Sequence, residues 1–155
     1  EFADTGVGAD SDCQRIIEEL CREAGSEAKD ITIGSVMISR EIGDGSSREQ
    51  AASCQKVLGG FANLANAYST KRYRSNLINW GILPLLTEEK LEIPNGTFLF
   101  IENVKEAVRN GEQDIPVRVM DGTGKIYSCT MGVMTEEEKE ILISGCLINY
   151  YRFMI

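Results

Sequence analysis

Apolar positions divide the chain into segments of two different periods. Ile16, Ile17, Leu20 and Cys21 recur at helical spacing, which predicts a helix opened by Asp10 or Ser11, running to about Ala24 and stopped by Gly25. Residues 1–9 are small and polar and are expected to fray. Residues 31–38 are apolar at nearly every position, the pattern of a strand covered on both faces, so a central strand is expected there. Residues 48–58 hold good helix formers and no proline, and Gly59-Gly60 ends them. Residues 61–68 fit a helix by propensity and a strand by length, and the pattern alone leaves both open. Residues 76–80 predict a short helical turn closed by Gly81, and 82–86 an apolar segment that Pro84 confines to a sheet edge.

After a polar stretch at 87–92 that reads as a surface loop, residues 97–101 and 115–120 predict strands flanking a short helix at 104–109. Asp121-Gly122-Thr123-Gly124 is a hairpin turn leading into a returning strand at 125–131. Thr135 and Glu138 form a capping box that opens a last helix through about Asn149. The aromatic and apolar tail, 150–155, needs a surface to cover it. The sum is a layered mixed α/β domain.

Composition narrows the class. At 155 residues the chain suffices for one domain with a real core, and 43% hydrophobic against 26% charged residues is ordinary for a globular protein. No apolar run has the length of a membrane span, and neither a basic leader nor an apolar signal core is visible, so no membrane role is expected. The formal charge of −8 repels nucleic-acid backbones, with one local exception at Lys71-Arg72-Tyr73-Arg74, read as a solvated basic loop. Five cysteines (Cys13, Cys21, Cys54, Cys129, Cys146) without regular spacing argue against a disulfide framework and for a reducing compartment, the cytoplasm. There is no histidine, which removes serine–histidine triads, cysteine–histidine dyads and the usual zinc sites.

The candidate chemistry lies where the apolar run of 31–38 meets the helix of 48–58. Gly43-Asp44-Gly45-Ser46-Ser47-Arg48 reads as a glycine-rich turn between strand and helix start. It places Ser46, Ser47 and Arg48 at the positive end of a helix dipole beside unpaired N–H groups, which suits an anion. The arginine adds a fork that fits a carboxylate or a phosphate. A nucleotide P-loop needs a lysine after the turn, and a hydrolase elbow needs a base; both are missing. Two readings stay open on the residues alone. One is a plain tight turn with Ser46 as helix cap and Arg48 in a surface ion pair. The other is a substrate-anion site with Ser46 as a reactive alkoxide.

The run G-D-G-S-S-R-E-Q-A-A at 43–52 closely resembles the G-x-G-S-S-R-E-H-A-A signature of the C-terminal swivel domain of the aconitase superfamily. Arg74-Ser75-Asn76-Leu77-Ile78-Asn79-Trp80-Gly81-Ile82-Leu83-Pro84-Leu85 is similar to that domain's N-L-I-N-F-G-I-L-P-L segment, at matching separation. The segment 50–60 and the ending Leu147-Ile148-Asn149-Tyr150-Tyr151 resemble one bacterial branch, the aconitase-like hydratases. This resemblance implies an α/β fold, a swivelling β/β/α three-layer domain with a mixed sheet, over the whole chain. It implies a hydro-lyase acting on a hydroxy di- or tricarboxylic acid. Ser46 would take a proton alpha to a carboxylate, Arg48 would grip a carboxylate and hold Ser46 as alkoxide, and Ser47 would add a hydroxyl and an N–H.

Three departures carry implications. Gln50 stands where the signature has histidine, and Lys71 stands where the family's S-F-A-R-I-H run has arginine, making Lys71 a candidate substrate contact of altered geometry. The family's earlier motif and a second substrate arginine should precede this stretch, so the chain is expected to be an N-terminally truncated fragment. None of the five cysteines resembles the family's iron–sulfur ligands. The cluster is therefore expected in partner domains, in the same full-length chain or a large subunit, and the isolated chain is expected to be inactive. The competing implication is a non-catalytic regulatory or RNA-binding domain derived from the same fold.

Overall fold

In the computed structural model, residues 11–24 and 27–152 are described, and they divide into two compact units between Ile33 and Gly34. The first holds helix α1, Ser11–Ala24, as the apolar spacing predicts, with Ile16 and Leu20 as its buried positions, and a 3-10 turn at Ala28–Asp30. The expected fraying of residues 1–9, the stop at Gly25 and the end of the tail lie outside the described residues.

The second unit is built on two three-stranded sheets. Strands β1 (Ser35–Ile42), β2 (Gly60–Tyr68) and β3 (Leu83–Leu86) lie parallel in that order, joined by helices α2 (Arg48–Val57) and α3 (Lys71–Asn79). Strands β4 (Leu99–Phe100), β5 (Ile115–Val119) and β6 (Ile126–Cys129) are antiparallel, with helix α4 (Val104–Asn110) between β4 and β5. Helices α5 (Glu136–Ile143) and α6 (Leu147–Arg152) follow. One bridge joins the sheets: Leu86 and Thr130 exchange both backbone bonds, at 2.7 and 2.8 Å. The fold is thus mixed α/β, with its parallel and antiparallel parts in separate sheets.

The central strand is β2, not the run at 31–38. That run starts pairing only at Ser35, β1 is an edge strand, and Ile33 and Met37 are exposed. The reason lies in the two faces of β2. Ala62 and Leu64 point into a core made with Leu83, Leu85, Val108, Ile115, Val117 and Tyr127. Ala65, one residue out of phase, points into a second core with Ile42, Ala52, Tyr73, Leu77 and Ile82. Period-2 alternation therefore buries both faces, and small side chains admit the helices on one of them. Fully burying Leu64 is worth roughly 1.5–3 kcal/mol.

Polar groups on the second face are linked inside the protein, with Gln55 Oε1 left without a partner. Gln55 of α2 donates to the Asn63 side chain of β2, and Asn63 Nδ2 donates to Tyr73 Oη of α3 at 3.3 Å. Tyr68 Oη shares its proton between the carbonyls of Asn63 (3.3 Å) and Leu85 (3.4 Å). Burial raises the pKa of both phenols, so both stay neutral across the physiological range, Tyr68 as a donor and Tyr73 as the acceptor of the Asn63 amide.

Three further expectations are corrected. The basic run 71–74 is not a loop: Thr70 Oγ1 accepts from Tyr73 N at 3.3 Å and caps α3, which starts well before the expected 76–80 turn. Within it Arg74 is half-buried and bound. Its Nη2 and Nε donate to the Met131 carbonyl (2.9 and 3.2 Å), Nη2 also to the Val133 carbonyl, and Nη1 pairs with Glu138. The last helix is broken at 144–146, where Gly145 takes φ 88° and its carbonyl lies against Gly81, leaving no room for a side chain there.

Candidate active site

The site forms at the carboxyl ends of the parallel strands. Ile42 and Tyr68 are register partners that close β1 and β2, and Ser69 N donates to the Ile42 carbonyl at 2.9 Å. Helices α2 and α3 each start a few residues beyond those ends, so both first turns open on the same side, where ligands of open parallel sheets bind.

Gly43 makes the exit from β1, with φ 95° and its Cα against the Tyr73 ring. Helix α2 starts at Arg48, and the cap residue is Ser47, not the Ser46 of the plain-turn reading. Ser47 makes no side-chain cap bond, so the N–H groups of the first turn are left facing outward. Arg48 is half-buried and donates from Nε to the Gly43 carbonyl at 3.1 Å. That bond fixes the guanidinium across the turn and leaves its two terminal nitrogens for another acceptor. The surface ion pair that the plain-turn reading gives Arg48 is absent among the described residues.

These groups line an open groove of ≈ 510 Å³ together with residues of α3. Its lining is Ser46, Ser47, Arg48, Glu49, Gln50 and Ser53 from the α2 side, and Arg72 and Asn76 from α3. The structure therefore brings Ser46, Ser47 and Arg48 together. Lys71 is exposed on α3 and does not line the groove; its neighbour Arg72 does. Gln50, in place of the signature's histidine, lines it too. Arg72, Asn76 and Ser53 escape the sequence reading. With α3 started at Thr70, the four-residue spacing of Arg72 and Asn76 would have placed both on one helix face.

The groove walls are tied together at two levels. Trp80 Nε1 donates to Glu49 Oε1 at 2.6 Å, and Lys56 Nζ donates to the Gly81 carbonyl at 3.2 Å. Burial lowers the Lys56 pKa. The Glu49 carboxylate is thus held toward the indole, and Arg48 and Arg72 are the basic side chains that line the groove.

The chemistry available is anion binding by two guanidiniums, helix N–H groups, hydroxyls and amides. No group of three or more Cys, Asp or Glu converges among the described residues, and burial pushes the Cys129 thiol up to about 12. No helix among the described residues is long and apolar enough to cross a membrane.

Comparison with known proteins places the chain in a family. The model of the aconitase C-terminal domain matches residues 22–90. The 3-isopropylmalate dehydratase small subunit of Saccharolobus islandicus is 34% identical over 143 residues, covering 91% of this chain and 76% of that protein. Aconitate hydratase A of Streptomyces viridochromogenes is 31% identical over 120 residues, 74% of this chain but only 13% of that much longer protein. The crystal structure of 3-isopropylmalate dehydratase from Methanocaldococcus jannaschii superposes with TM-score 0.60 at 30% identity, over 82% of this chain and 68% of that one. By sequence, by coverage and by fold, the chain belongs to the aconitase family and carries its C-terminal domain.

Proposed function

We propose that this chain is the substrate-binding and catalytic-base domain of an aconitase-like hydro-lyase, which dehydrates and rehydrates a hydroxy di- or tricarboxylic acid. The observation that carries the proposal is the convergence of Ser46, Ser47 and Arg48 on one groove, with Arg48 braced on the Gly43 carbonyl. A substrate carboxylate lies on the free edge of Arg48 and the N–H groups of the α2 first turn. Ser46, as alkoxide beside that positive charge, takes the proton from the carbon alpha to the carboxylate, and returns it in the hydration direction. Ser47 supplies a further hydroxyl and N–H to the bound anion.

Nothing among the described residues offers a set of ligands able to accept the departing hydroxide. The proposal assigns that role to an iron–sulfur cluster held by partner domains, and makes the isolated chain inactive. Relatives whose names designate them small subunits support a separate large subunit as that partner. The five unpaired cysteines support a cytoplasmic location.

The test is co-expression with a cluster-bearing aconitase-type subunit, reconstitution with iron and sulfide, and assay against a panel of hydroxy di- and tricarboxylic acids. Turnover by the complex and none by the chain alone is the expected result. Turnover by the chain alone, or none by the cluster-loaded complex together with a salt-weakened RNA shift, contradicts the proposal and favours a nucleic-acid role.

A further inference from the structure

The second wall of the groove has a chemistry of its own. Arg72 and Asn76 stand four residues apart on α3, so both project from one face toward the first turn of α2. Among the described residues, Arg72 makes no hydrogen bond or ion pair, nor does the Asn76 amide. Arg74, two residues on, spends its guanidinium on the Met131 and Val133 carbonyls and Glu138. Glu49, the acidic residue among those lining the groove, accepts from Trp80 Nε1 through Oε1 and makes no ion pair with Arg72. A guanidinium without a protein acceptor among the described residues therefore lines the same groove as Arg48, on a chain whose formal charge is −8.

We infer that Arg72, assisted by Asn76, is the second carboxylate clamp of the groove and selects substrates carrying a carboxylate at each end. This rests on the carboxylate-site reading of Ser46 to Arg48 and deepens it. Arg48 fixes the carboxylate beside the reacting carbon, and Arg72 takes the distal one in a charge-assisted pair. Asn76 donates an amide N–H to the same oxygens. Two like-charged guanidiniums across one groove repel each other, and a dianion spanning them relieves that repulsion where a monoanion cannot. Lys71, one residue earlier and outside the groove lining, makes no contact in this arrangement.

The experiment titrates the full chain with malate and with lactate, hydroxy acids that differ by one carboxylate, following the amide resonances of residues 46–50 by NMR. The wild-type chain should bind malate about tenfold or more tighter than lactate, the gain expected from one charge-assisted contact. Arg72→Ala should bring malate down to the lactate affinity and leave lactate unchanged, Arg72→Lys should fall between, and Arg48→Ala should lose both acids. A wild-type malate-to-lactate ratio retained by Arg72→Ala overturns the Arg72 assignment while leaving the Arg48 site standing. Binding of neither acid to the wild-type chain overturns the carboxylate-site reading and the inference with it. Because Arg72 is exposed, the variant should keep the wild-type amide spectrum.

Discussion

The ring of Tyr73 occupies the space where a side chain on Gly43 would go: a Cβ there would meet Tyr73 Cδ1 at 2.5 Å. The same glycine holds φ 95°, which L side chains rarely adopt, and its carbonyl anchors Arg48. The turn that carries Ser46 is thus set against α3 by packing as well as by the strand before it. Gly43→Ala should cost about 1–3 kcal/mol by overpacking and backbone strain, measured by urea unfolding. Replacing Tyr73 by alanine in the same chain, which removes Cδ1 and Cγ, should recover part of that loss, and the two changes should couple rather than add. Strict additivity would show that the ring does not set the turn.

The buried amide pair beneath the site predicts a second non-additive result. Asn63 is fully buried and links Gln55 to Tyr73, while Gln55 Oε1 has no partner. Asn63→Leu alone leaves Gln55 Nε2 only the Ala62 carbonyl at 3.4 Å and takes the donor from Tyr73 Oη, and should cost about 1–3 kcal/mol. Asn63→Leu with Gln55→Leu removes the amide pair, leaving only the Tyr73 hydroxyl without its donor, and should recover most of that loss in chemical denaturation. A double variant as unstable as the sum of the two would mean the pair stabilises the fold beyond its desolvation cost.

Tyr68 gives the fold a defined weakness at high pH. Burial raises its pKa above the ordinary value of 10.0, so between that value and the folded-state pKa the unfolded chain releases a proton that the folded chain retains. Its contribution is therefore fully present below about pH 10 and is lost as the pH rises further. Tyr68→Phe should cost about 1 kcal/mol at pH 7, for the hydrogen bond shared by the Asn63 and Leu85 carbonyls. The same variant should flatten the fall of the melting temperature above pH 10. An unchanged alkaline slope would move the effect elsewhere, with Tyr73 the next phenol to test.

Where a signal is local, the sequence carries the fold. The Thr135–Glu138 capping box opens α5, with both reciprocal bonds formed, and Pro84 lies in an edge strand of the parallel sheet. Asp121 turns the hairpin by accepting from Thr123, and β5 pairs antiparallel with β6 beyond it. The rank of strands is not local. β2 carries alanines and a buried asparagine, so its composition hides a strand covered on both faces, while the more apolar run before it ends up at an edge. The same holds for α3, whose start depends on a single threonine hydroxyl, and for the break before α6, which follows from the approach of Gly145 to Gly81. In the groove, the signature around Ser46 was legible as a run, whereas Arg72 became visible only once α3 set its face.

The central claim concerns Ser46, and one measurement addresses it most directly: the single-turnover rate of the cluster-loaded complex carrying Ser46→Ala, with substrate saturating. Ser46 is exposed and outside both cores, so the variant should fold and bind as the wild type does. Loss of the positioned base should lower the chemical step about 10²–10⁴-fold with little change in substrate affinity. A rate within twofold of the wild type would contradict the account and remove Ser46 as the base.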